Sequence, residues 1–82
     1  MSTLDLEQVD LAALARAIAA RVQGPAREGS VAGRTEFRDA VIETLSCSEL
    51  EAEQLVDTLV ARGYLVFDPT PPGMWDVRPD AG

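Results

Sequence analysis

The chain predicts an α+β fold, mainly α, with three helices followed by a C-terminal β-hairpin. Three observations carry this. Apolar residues recur at helical spacing in three stretches, around residues 11–22, 37–45 and 52–60. Helix caps, glycine and proline punctuate the gaps between them. After Gly63 the apolar period becomes alternating, in "YLVFD" and again in "GMWDV".

The first helix is expected from about Asp5 to Gln23. Leu4 precedes Asp5, Gln8 follows three residues later and Val9 lies beyond, the pattern of a hydrophobic staple with a capping box; Asp10 is an alternative start. Leu11, Leu14, Ala15, Ile18 and Val22 form its main stripe, and Leu6, Val9, Ala13, Ala17 and Ala20 make a second apolar face that hints at a second neighbour. Gly24 and Pro25 end it.

Residues 24–33, "GPAREGSVAG", read as a loop with a short strand around Val31. Thr35 is the expected cap of a second helix that ends near Leu45 and buries Phe37, Ala40, Val41, Thr44 and Leu45. "LSCS" is a turn, and Ser46 with Glu49 or Ser48 with Glu51 forms the capping box of a third helix running to Arg62, with Gly63 as its stop. Its inward stripe is Ala52, Leu55, Val56, Leu59 and Val60. "PTPPG" joins the two strands, with Leu65 and Phe67 facing the core beside Trp75 and Val77, and "RPDAG" is a frayed tail.

Eighty-two residues make one small domain, with an ordered core expected over about residues 5–78. A hydrophobic share of 46% and a charged share of 26% place it among globular rather than disordered chains. The net charge of -7 disfavours nucleic acid and acidic membranes as partners. A single cysteine, Cys47, excludes an internal disulfide. With no long apolar run and an acidic start, the expectation is a soluble cytoplasmic protein.

The order of elements, the apolar spacing in "TEFRDAVIETLSCSELEAEQLVDTLVARGYLVFD", its "ARGYL" junction and the closing "GMWDV" resemble the winged helix-turn-helix superfamily over roughly residues 5–78. The resemblance implies a three-helix winged helix-turn-helix with a C-terminal β-hairpin wing, and DNA binding through the third helix. The residues depart from that second implication. The outward positions of the third helix are Leu50, Gln54, Asp57, Thr58 and Ala61, flanked by Glu51 and Glu53, and none is Lys or Arg. Base reading relies on Arg or Lys on guanine and Asn or Gln on adenine, backed by phosphate contacts, so only Gln54 is suited to it. The wing tip "DPTPPG" also lacks a cation.

Positive charge is concentrated elsewhere. Residues 16–38 hold five arginines against Glu28 and Glu36, whereas residues 39–82 hold nine acids against Arg62 and Arg78. Glu49, Glu53 and Asp57 fall four apart on one edge of the third helix, a spacing that is unfavourable unless a cation relieves it. That edge reads either as a solvated face or as a surface for a basic patch on a protein partner. Leu50, with Pro71, Pro72 and Met74 of the wing, supplies an apolar centre for such a contact. The alternative is a DNA-binding transcriptional regulator with Arg27, Arg34 and Arg38 on phosphates. The Ala-rich face of the first helix is a candidate homodimer surface.

Chemistry finds little support in the residues. Without a histidine, no imidazole can activate a nucleophile, and zinc would need one cysteine plus carboxylates. "GPAREGSV" has the glycine spacing of a phosphate-binding loop, but Ser30 stands where its Lys belongs and Val31 where Ser or Thr belongs. No catalytic, metal or cofactor site is therefore assigned. Cys47 reads as a small filler and Trp75 as a core residue. The reading that results is a non-catalytic protein-interaction or regulatory adaptor module.

Overall fold

A computed structural model describes residues 8–81. Three helices, α1 (Leu11–Arg21), α2 (Ser30–Leu45) and α3 (Glu49–Ala61), precede an antiparallel hairpin of β1 (Leu65–Asp68) and β2 (Met74–Val77). This is a mainly helical α+β arrangement of winged-helix-like form.

Within the described residues α1 begins at the alternative start. The Asp10 carboxylate accepts the N–H of Ala13 at 3.1 Å, a direct N-cap; Leu4, Asp5 and Leu6 lie outside the described residues. Leu14, Ala15, Ile18 and Val22 are buried. The second apolar face is mixed where it is described: Ala13 and Ala20 are exposed, Ala17 is half-buried, and Val9 is half-buried against the core. The C-terminal carbonyls of α1 are closed by side chains. Arg27 Nε donates to the Val22 carbonyl at 2.7 Å and its Nη2 to Ala19 at 3.3 Å, while Gln23 Nε2 donates to Ala20 at 3.1 Å.

The second helix starts earlier than the sequence suggests, and two expectations fall. Val31 is in the first turn of α2 rather than in a strand, and Thr35 is inside the helix, where its hydroxyl donates to the Val31 carbonyl at 3.1 Å instead of capping. Gly29, at a φ of 84°, takes the N-cap position without any side-chain bond. The strand-like contact sits three residues before Val31. Glu28 bridges Met74, and Gly29 N–H donates to the Gly73 carbonyl at 2.9 Å. Phe37, Ala40 and Val41 are buried as expected, with Thr44 and Leu45 half-buried.

The turn between α2 and α3 resolves the choice of caps. Ser46 ends α2 in the left-handed region at a φ of 54°, so the capping box belongs to Ser48 and Glu51, with bonds of 3.1 and 3.0 Å in the two directions. Glu49 and Glu51 in the first turn also favour the helix dipole. At the other end Tyr64 N–H reaches Leu59 at 2.9 Å and Gly63 N–H reaches Val60 at 3.1 Å, a Schellman close around Gly63.

The hairpin pairs Leu65 with Val77 and Phe67 with Trp75, so these four side chains share the core face. Leu65 and Trp75 are buried, and Phe67 and Val77 are packed against the core. The tip runs Thr70–Gly73 with a cis Pro71–Pro72 bond and a Gly73 N–H to Thr70 carbonyl bond of 2.7 Å. The expected frayed tail is tied in at its start: Arg78 N–H donates to the Tyr64 carbonyl at 2.7 Å, and Ala81 closes a turn on Arg78.

Trp75 joins the layers. Its ring meets Phe37 edge-on at 5.6 Å and Phe67 at 5.1 Å between centroids, and Nε1 donates to the carbonyls of Gly29 (3.2 Å) and Ser30 (3.3 Å). No helix among the described residues is long and apolar enough to cross a membrane.

Candidate functional site

Crossing of α2 over α3 brings together residues far apart in the sequence. The acidic edge of α3 lies against the arginines of α2. Arg34 forms an ion pair with Asp57, and Arg38 reaches Glu49 at 3.6 Å, Glu53 at 3.8 Å and Asp39 of its own helix at 3.1 Å. The cation that relieves the four-residue spacing of Glu49, Glu53 and Asp57 is thus supplied by the same chain. The Asp39 hydrogen bond, with Glu49 and Glu53 adding attraction, holds the Arg38 guanidinium more firmly protonated than usual.

The ladder still leaves the surface acidic. Arg34 and Arg38 face Asp39, Glu49, Glu53 and Asp57, four carboxylates against two guanidiniums. Between the helices runs a groove of about 160 Å³, lined by Val31, Arg34, Thr35, Arg38, Glu53 and Val56. Next to the acidic edge Leu50 projects from α3 with 68% of its surface exposed, and Gln54, one turn on, is also exposed.

The wing residues form a separate group. Pro71 and Pro72 are exposed at the tip, whereas Met74 is half-buried and held against Glu28. Among the described residues no side-chain hydrogen bond or ion pair links this group to Glu49, Leu50, Glu53, Gln54 or Asp57.

All three candidate phosphate contacts are engaged within the chain. Arg27 serves the carbonyls of α1, Arg34 serves Asp57, and Arg38 serves three carboxylates. Arg21 pairs with Glu43 at 2.9 Å and Arg78 with Asp76 at 2.7 Å. Val31, exposed over 77% of its surface, is the surface residue that sequence reasoning missed. Its neighbours Gly29, Ser30 and Gly33 make it look like part of a loop.

Cys47 is half-buried in the α2–α3 turn, and burial pushes its thiol above the ordinary value, away from the reactive thiolate. At the wing, the Thr70 backbone N–H, 2.9 Å from the Asp68 carboxylate, holds that group below the usual carboxylate range. Comparison with protein-family models, with curated proteins and with solved structures finds no match for this chain.

Proposed function

We propose that the chain is a non-catalytic, cytoplasmic winged-helix module that holds a protein partner through the outward face of α3 and the wing. One observation carries the reading. The helix in the recognition position presents exposed Leu50 and Gln54 beside an acidic edge, while Arg27, Arg34 and Arg38 are occupied within the chain. A phosphate backbone would meet carboxylates there, and capturing those arginines would first require breaking their internal contacts. A protein surface instead meets an apolar centre with a charged rim, the ordinary anatomy of an interface. The net charge of -7 supports a partner with a basic patch.

The test has two arms. Random duplex DNA titrated at low salt should show no binding at micromolar protein, and binding that weakens steeply with added salt overturns the reading in favour of a DNA-binding regulator. Affinity capture followed by mass spectrometry should recover a protein that is lost with Leu50→Ser. Equal recovery by both forms would show that the α3 face takes no part.

A further inference from the structure

Resting on that reading, we propose that the α2–α3 groove receives one apolar side chain from a basic amphipathic helix of the partner, whose flanking arginine or lysine side chains lie against Glu49 and Glu53. Size selects the occupant. Small-molecule pockets run to roughly 300–1,000 Å³. At about 160 Å³ the groove suits a single side chain better than a whole ligand. Its lining offers such a side chain two apolar contacts, exposed Val31 of α2 and buried Val56 of α3, beside the long side chains of Arg34 and Arg38, with Thr35 and Glu53 completing it.

Charge selects the partner's sign. Arg34 and Arg38, which line the groove with Glu53, are shared among four carboxylates, Asp39, Glu49, Glu53 and Asp57, and the local surplus of two negative charges attracts a cationic segment. A second copy of this chain would bring another net -7 to the same place. Val31 on α2 and Leu50 on α3 are the large apolar side chains left exposed among the described residues, one on each of the helices that bound the groove. A helix laid between two helices offers anchors at i, i+3, i+4 and i+7, which can serve both walls at once.

The test is an amide NMR titration of the full chain with a synthetic helix carrying Leu at those anchor spacings and Arg at the flanking positions. A second peptide with Glu in place of each Arg serves as the control. Saturable shifts are expected at Val31, Thr35, Arg38 and Glu53, with affinity at least tenfold weaker for Val31→Ser and for Glu49→Gln combined with Glu53→Gln, and no binding of the Glu peptide. Val31 is exposed, so its replacement should leave the folded spectrum intact. Shifts confined to Leu50, Gln54 and the wing, or affinity unchanged by Val31→Ser, overturn the groove while leaving the protein-interaction reading standing. Absence of saturable shifts on α2, α3 and the wing overturns both.

Discussion

The indole of Trp75 occupies the space that a β-carbon on Gly33 would need. An added Cβ would lie 2.3 Å from Trp75 Cδ1 and 2.6 Å from Nε1, well inside contact distance. The ring cannot simply step aside, because Phe37 and Phe67 pack against it and its Nε1 is bonded to the start of α2. Gly33→Ala therefore sets two effects against each other. Helix propensity favours Ala by about 1 kcal/mol, while forcing apart a packed core costs typically 1–3 kcal/mol. Net destabilisation with altered Trp75 fluorescence is expected on denaturant unfolding; a variant more stable than the parent would show that the wing yields freely.

Leu50 and Leu55 differ by five positions on α3 and should behave oppositely. Leu55 is 1% exposed, so Leu55→Ala should cost about 2–5 kcal/mol through lost burial and a residual cavity. Leu50→Ser should stay within about 0.5 kcal/mol, as for surface positions generally. Paired thermal melts check both, and a large loss at Leu50 would mark it as structural.

Arg38 should show itself through salt. Replacing it with Ala leaves Asp39, Glu49 and Glu53 without their shared cation. The variant should be less stable than the parent at low ionic strength, and the gap should narrow as sodium chloride screens the freed carboxylates. A gap independent of salt would point to lost packing of the arginine stem.

Asp68 supplies a pH prediction with a definite sign. Its carboxyl is held low in the folded chain, first by the Thr70 backbone N–H and then by the Thr70 side chain. A depressed folded value contributes stability that is present above the unfolded value and is lost as pH falls through the folded one. Carbon-detected NMR titration should place Asp68 below ordinary aspartate, and Thr70→Ala should restore only part of the difference, since the backbone donor remains. A full return to the ordinary value would assign the whole effect to the hydroxyl.

At the α3 start, Ser48→Ala should cost about 1 kcal/mol by removing the acceptor for Glu51 N–H. Ser46→Ala should not reproduce a cap loss, because Ser46 closes α2 and gives no side-chain bond to α3.

Where the sequence reading succeeded, the signal was local. The stripe of α3, its capping box and the alternation across β1 and β2 each lie within a few residues, and so does the Gly63 stop. The start of α2 was hidden because its cause is not local. "GPAREGSVAG" has the composition of a loop, and Gly33 is tolerated inside a helix because Trp75, far along the chain, needs the room. The ion-pair ladder was half legible. The spacing of Glu49, Glu53 and Asp57 exposed the need for a cation, but only the helix crossing shows that Arg34 and Arg38 meet it.

The strap between residues 28–30 and 73–75 also bears on the order in which the chain folds. The bridge from Glu28 to Met74 and the bonds from Trp75 to Gly29 and Ser30 span more than forty residues, whereas the α2–α3 turn closes over a handful. Loop closure over that distance must precede any gain from the contact. The helical pair should therefore assemble first, with the hairpin docking after it. Kinetic mutational analysis should accordingly give low φ-values at Trp75 and higher ones at Val41 and Leu55, making the single tryptophan a reporter of the last step of folding rather than the first.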